Sequence, residues 1–473
     1  MIGGGFSGAA VVIQLLRRRF AAPTRILLID RAREAGRGMA YAVRDYPYLL
    51  NVPAAQMSLY EELPLDFLEF ARGREIAAAS HDFLQRSLYG DYLGARLAAS
   101  VASSAQNVQF VRVVGEAIRV HKLQGRRPEF DQWNVVLADG RDLLADDVVL
   151  ALGNPEPQRL AALREIADSA AYVHDPWNPR RPALCATNAS DRVLLLGTGL
   201  TMVDIALRLT SLERPPAELH ALSRHGLLPT PQSDFNRCAV RHEDREVLAR
   251  SQSSLVSLAG AVRSLALAAA ERGDDWRSVI ALVRNQLPAL WPRLTAPDRR
   301  RFLRHLRPYW DAHRHRLPSA LAERLRSLCA SGALKLNAGR LLFAEPLKKG
   351  VQVLWQTRSR AQQRVSVYDR VINCTGPDYS VAHSRDPLVR TLLTEGLITP
   401  DALGLGIETT DDMQVIGRDG QCISRLYYLG PWLRSRFWEA NAVPELRSHA
   451  ERLAAVIAGQ LYARRSPARV SSG

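Results

Sequence analysis

Residues 3–8 read Gly3-Gly4-Gly5-Phe6-Ser7-Gly8, and a second glycine pair, Gly197-Thr198-Gly199, stands far downstream. Gly3, Gly5 and Gly8 have the spacing of a turn that brings backbone against a pyrophosphate and packs a helix on a strand. The apolar run from Ala9 to Leu16 reads as that helix, its N-terminus facing the anion. Thr24 to Asp30 reads as a buried parallel strand ending in an acid. Asp30 stands about 20 residues beyond the turn, where a carboxylate accepts ribose hydroxyls. Only Met1 and Ile2 precede the turn, so either the true start lies upstream or the leading strand is a stub, shorter than the usual ~5 residues, and a stub would weaken the centre of the sheet.

At the second turn, Asp191 to Leu196 reads as the leading strand and Thr201 to Leu209 as the helix. Met202 replaces the third glycine, which spaces helix and strand further apart. Leu219 to Gly226 forms the next strand and its exit, and there the acid is missing. Ser223 and Arg224 stand where a ribose 2′-phosphate is held, because a guanidinium matches phosphate with two hydrogen bonds. An acid would favour NADH, so the reading prefers NADPH while leaving both open.

Each turn is followed by the same later pattern. Val108 to Val120 and Trp133 to Leu137 lead to Asp147 to Gly153; Leu334 to Phe343 and Val351 to Thr357 lead to Asp369 to Gly376. Strands that end in small residues let backbone approach a ligand. The expected fold is α/β: two Rossmann-like dinucleotide-binding domains with β-meander insertions and a helical insertion in the second. The boundaries expected are 1–183 with 377–462 for a discontinuous first domain, 187–376 for the second with its helical insertion at 241–329, and a disordered tail from 463 to 473. Pro155-Glu156-Pro157 and Pro377-Asp378 mark the crossings.

Composition narrows the class. At 47% hydrophobic and 23% charged, the 473 residues are those of a globular protein, with no apolar run of membrane-spanning length. The net charge of +15 is spread along the chain and is almost all arginine, so it argues for anionic cofactors rather than nucleic acid. Cys185, Cys238, Cys329, Cys374 and Cys422 include no C-x-x-C pair, which points to a reducing cytoplasm and away from a redox disulfide. Cys374 reads as a small buried residue. His313 and His315, two apart, face different sides of a helix, so no metal site is expected. Oligomeric state is left open.

Further segments carry a resemblance: Gly36-Arg37-Gly38-Met39-Ala40-Tyr41, Leu49 to Ala54 with Met57-Ser58, Asp175-Pro176-Trp177, Gly430-Pro431, Trp438-Glu439 and Ala442 to Arg447. With both glycine turns, they make the chain resemble the two-dinucleotide-binding flavoproteins and, within them, the FAD/NAD(P)-binding proteins. The resemblance implies FAD on Gly3, Gly5, Gly8, Asp30 and Gly430, and NADPH or NADH on Gly197, Gly199, Ser223 and Arg224. It places Asn51, Met57 and Ser58 near the flavin, with Arg37 a candidate for orienting an anionic substrate. The activity it implies is a flavin-dependent monooxygenase using NAD(P)H and dioxygen on a small polar nitrogen-containing substrate, with urate to 5-hydroxyisourate in purine degradation as the leading case. N-hydroxylation of an amine or amino acid, a flavoprotein reductase and a non-enzymatic nucleotide sensor are the alternatives.

Overall fold

The computed structural model describes residues 1–465 apart from 33, 126–130, 179–186, 234–240, 252–253 and 360. Cys185, Cys238 and the expected tail from 466 lie outside the described residues. The strands in chain order are β1 (Thr24–Asp30), β2 (Val108–Val114), β3 (Ala117–Leu123), β4 (Gln132–Leu137), β5 (Asp142–Ala145), β6 (Val148–Leu150), β7 (Tyr172–Val173), β8 (Arg192–Leu196), β9 (Glu218–Ser223), β10 (Leu334–Pro346), β11 (Val351–Thr357), β12 (Gln363–Tyr368), β13 (Arg370–Asn373), β14 (Gln414–Ile416) and β15 (Cys422–Tyr428). They fall into two compact units: Met1–Pro155 with the chain from Tyr379 onward, and Glu156–Asp378.

In the first unit β1 pairs with β2 in parallel, and β6 pairs with β15 in parallel. Ile2 joins the two pairs, bridging to Ile29 on one side and Leu150 on the other. The stub is therefore fully bonded: Ile2 N–H donates to Val149 O at 2.9 Å and Gly3 N–H to Ile29 O at 2.8 Å. Strands β3, β4 and β5 form the separate antiparallel meander. The helix Phe6–Leu16 is buried along its whole length because ten of its eleven residues are apolar or small, and it packs against the helices Arg86–Ala102 and Val443–Arg465. Leu28, Val11, Val12 and Phe67 are fully enclosed there, and each buried side chain of this size contributes about 1.5–3 kcal/mol.

In the second unit one sheet runs β12-β11-β10-β9-β8-β13-β7. The centre, β9, β8 and β13, is parallel, as buried apolar runs require. The helices His242–Arg250, Leu255–Glu271, Arg277–Arg293, Ala296–Arg301, Arg307–Arg314 and Ser319–Ala330 form the insertion between β9 and β10. Two boundaries differ from expectation. The first domain's range ends at 155, at the Pro155-Glu156-Pro157 crossing read from the sequence, rather than at 183, because β7 pairs with Val371 and Ile372 of β13. The C-terminal helix continues to Arg465, past the expected end at 462. No helix among the described residues is long and apolar enough to cross a membrane.

His449 gives this fold an acid limit. Its ring lies 4.5 Å from that of Phe437, and its Nδ1 is enclosed without a hydrogen-bond partner. Burial, and then Arg452, lower its pKa from 6.5 to about 4. The unfolded histidine takes a proton below 6.5 while the folded one stays neutral, so stability is full above 6.5 and falls as pH drops toward 4. That is a loss on the order of 2–3 kcal/mol. Urea unfolding across that range is expected to show a shallower acid slope in His449→Phe; equal slopes contradict the assignment.

Candidate functional site

The glycine turn of the first unit forms one wall of a cavity of about 350 Å³, within the range of small-molecule sites. Gly3 holds φ at +103°, and a Cβ there would lie 2.1 Å from Ala151 O. A Cβ on Gly8 would lie 1.9 Å from Gly3 O. These two glycines are fixed by packing of the protein against itself. Gly5 is different. Its backbone is extended, at φ −73° and ψ −163°, and a Cβ would find only Gly38 Cα, at an ordinary 3.5 Å. Nothing in the described chain forbids a side chain at Gly5, yet the position faces the cavity at the N-terminus of Phe6–Leu16. A bare backbone amide at a helix start is what a phosphate approaches.

The second unit repeats this construction. Gly197 holds φ at +106°, with a hypothetical Cβ 2.5 Å from Cys374 O. Gly197 N–H donates to Leu222 O at 2.8 Å, as Gly3 N–H does to Ile29 O; Cys374 N–H donates to Leu196 O at 2.8 Å, as Ala151 N–H does to Ile2 O. Gly199 has φ −83° and ψ −167°, and a Cβ would meet nothing within 4 Å. The two turns thus make the same hydrogen bonds, and each leaves its middle glycine open.

Residues 1–155 match the family model described as FAD-NAD(P)-binding. An uncharacterized protein of Mycobacterium tuberculosis is 23% identical over 417 residues, covering 80% of this chain and 74% of its own. Among solved structures, ornithine hydroxylase of Pseudomonas aeruginosa superposes with a TM-score of 0.61 at 16% identity, over 98% of each chain. L-lysine 6-monooxygenase of Pseudomonas syringae gives 0.60 at 17% identity, over 97% of this chain and 98% of its own. The cadaverine monooxygenase of Erwinia amylovora, solved with FAD, gives 0.60 at 12% identity, over 97% and 94%. The fold is thus the mixed α/β fold that these flavoproteins share.

The cavity wall holds Gly3, Gly5, Asp30 and Arg37. Asp30 Oδ1 accepts the Ala32 N–H at 2.9 Å. Arg37 donates through Nε to Glu34 at 2.6 Å and through Nη2 to Asp91 at 2.7 Å, while Nη1 is enclosed without a partner. Gly430 is not on the wall; its neighbour Pro431 is. Gly430 has φ +157° because Tyr428 Oη reaches past it to accept the Trp432 N–H at 3.1 Å, and a Cβ would lie 2.8 Å from that oxygen.

Asn51, Met57 and Ser58 do not reach the wall. Asn51 is half-buried, and Met57 and Ser58 are in the core at 2% and 0% exposure. Ser58 Oγ donates to Leu63 O at 2.7 Å and accepts the Tyr60 N–H at 3.0 Å, a turn-forming role. The adjoining Leu59 N–H donates to Tyr92 Oη, which itself donates to Asp66, and Arg96 grips Asp66 through two hydrogen bonds of 2.6 and 2.8 Å. Breaking such a buried pair costs about 3–5 kcal/mol. Asp66→Ala is expected to lower the unfolding free energy by that amount in urea titration, whereas a loss below about 1 kcal/mol, typical of exposed pairs, contradicts the reading.

Two further wall residues, Gly4 and Gly38, are not among the candidate site residues. A Cβ on Gly4 would lie 2.2 Å from Asp30 Oδ2, and Gly36 N–H donates to Gly4 O, so this glycine seats the acid and ties in the next segment. Gly38, at φ +52°, lies against Gly5; its signal was the close pair Gly36 and Gly38.

At the second cradle Ser223 Oγ is already engaged, accepting the Gly226 N–H and bonded to Thr198 Oγ1, both at 2.9 Å. Its role in the structure is to tie the glycine turn to the strand exit. Arg224 is exposed beside it, and Arg358 hydrogen-bonds His225. Burial, then Arg358 and Arg224, push the His225 pKa below its usual value. Cys374 is 3% exposed and its thiol pKa is raised by burial. His313 bonds Tyr309 O at 2.8 Å, and His315 follows the end of its helix beside Asp311. Among the described residues no three His, Cys, Asp or Glu side chains are grouped for a metal.

Proposed function

We propose that this chain is an FAD-dependent N-hydroxylating monooxygenase, using NADPH and dioxygen on the amino group of a small amine or amino acid. The observation that carries it is end-to-end similarity of fold with hydroxylases of ornithine, lysine and cadaverine. That similarity favours N-hydroxylation over urate as the reading.

The cradle fits a dinucleotide: Gly5 is on the cavity wall at a position where the protein itself leaves room for a side chain, and Arg37 Nη1 is an enclosed donor without an acceptor. Gly3, Gly5 and Gly8 with the helix start would hold the FAD pyrophosphate, Asp30 the ribose, and Arg37 a phosphate oxygen rather than the substrate. Gly197 and Gly199 would hold the NADPH pyrophosphate, with Arg224 and Arg358 on its 2′-phosphate. FAD, when bound, supplies the electron and oxygen chemistry. The chain's own part is to bind, orient and keep water out, which is why neither a nucleophile nor a metal cluster is needed.

The test is turnover of FAD-loaded protein with NADPH and labelled dioxygen, offering ornithine, lysine, cadaverine and urate separately. Amine-stimulated NADPH consumption with label in an N-hydroxyl product is expected. Label in a urate product, or electrons delivered to another acceptor without incorporation, overturns the reading.

A further inference from the structure

We propose that Arg434 is an anion-recognition residue that takes the carboxylate of the substrate, so that the preferred substrate is an amine bearing a carboxylate rather than a simple diamine. The narrowing to that substrate rests on the N-hydroxylase reading; the anion site does not.

Arg434 lies in the short turn Pro431–Ser435 and is only 4% exposed. Its Cζ lies 4.5 Å from the Tyr379 ring centre and 4.0 Å from that of Trp438. Both rings are themselves buried. They attract the cation but offer no lone pair to its five N–H donors. Among the described residues Arg434 makes no ion pair and no hydrogen bond. Its Nε is enclosed without a partner, as is the indole nitrogen of Trp432, two residues before it. The carboxylates of the neighbouring loop are taken: Asp411 pairs with Arg436 and Asp412 with Arg452.

A buried charge without a counter-ion is costly, and proteins almost always pair it. Arg434 is permanently charged, so it cannot relieve that cost by losing its proton. A planar fork held between aromatic rings with its donors unspent matches the two oxygens of a carboxylate. Pro431, at the start of the same turn, lines the cavity at the first glycine turn, so an anion held here would lie on a segment that borders that cavity.

The experiment titrates FAD-loaded protein with acetate and with the isosteric, uncharged acetamide by calorimetry. Acetate is expected to saturate a single site and acetamide to give no binding. Arg434→Met is expected to weaken acetate at least tenfold. Arg434→Lys, which keeps the charge but loses the fork, should fall between, with flavin content reported for both variants. Absence of acetate binding in the unaltered protein, equal binding of acetamide, or an Arg434→Met protein that binds acetate undiminished overturns the proposal. Turnover then compares each amino acid with its decarboxylated amine. A preference for the acid that disappears in Arg434→Met supports the substrate class, and hydroxylation without that preference overturns it while the N-hydroxylase reading survives. Acetate binding without any amine hydroxylation defeats the N-hydroxylase reading and leaves the anion site standing.

Discussion

Gly5→Ala is expected to leave the chain folded and to strip it of FAD. The new methyl finds only Gly38 Cα at 3.5 Å, and the backbone there already has an extended geometry that alanine adopts freely. The protein therefore has no reason of its own to exclude it. A phosphate held at the helix start would, because a methyl there would crowd its approach to the amides. Losing one or two charge-assisted hydrogen bonds at about 1.5–3 kcal/mol each weakens FAD by roughly tenfold to ten-thousandfold. Gly8→Ala is the contrast: its methyl would lie 1.9 Å from Gly3 O, so the turn itself must break. That variant is expected to lose on the order of 3 kcal/mol or more of stability. Melting temperature and flavin content measured together separate the two. A Gly5→Ala protein that retains stoichiometric FAD contradicts the cradle.

Arg224→Ala and Arg358→Ala are each expected to weaken NADPH by roughly tenfold to a hundredfold, about 1.5–3 kcal/mol for a hydrogen bond to a charged group. Both should leave NADH unchanged, because NADH has no 2′-phosphate to lose. Three basic side chains, Arg224, His225 and Arg358, gather where the first unit carries Asp30 at the same point of its fold. His225 adds a pH signature. Burial and the two arginines push its pKa below the usual value in the free protein, and a phosphate beside it would favour the protonated form. NADPH binding should therefore tighten as pH falls toward 6 while NADH binding does not. Direct titration of both nucleotides at two pH values checks this; equal losses for NADPH and NADH contradict it.

Much of this was legible in the chain. Glycine turns declare themselves because only glycine tolerates φ near +100° beside a carbonyl, as at Gly3 and Gly197. The strands β8 and β11 follow from apolar and alternating runs, and the insertion from its helical periodicity. What failed was non-local. The boundary at 183 missed β7, a two-residue strand that exists only by pairing with β13. Met57 and Ser58 carry a motif but point into the core, because Tyr92 and Asp66 lock the following backbone. Arg358 stands 133 positions from His225, so no local pattern brings them together. Gly4 occupies a variable position of the fingerprint, and only the Asp30 carboxylate against it shows why glycine is there.

The central claim is that one polypeptide carries a flavin cradle and a separate nicotinamide cradle. Anaerobic addition of NADPH to the FAD-loaded protein tests it most directly. The account predicts that the yellow flavin absorbance bleaches with one equivalent of NADPH, and that this is lost when either Gly5 or Gly199 is replaced by a bulkier residue in a folded protein. Bound flavin that stays oxidised in excess NADPH and NADH contradicts it.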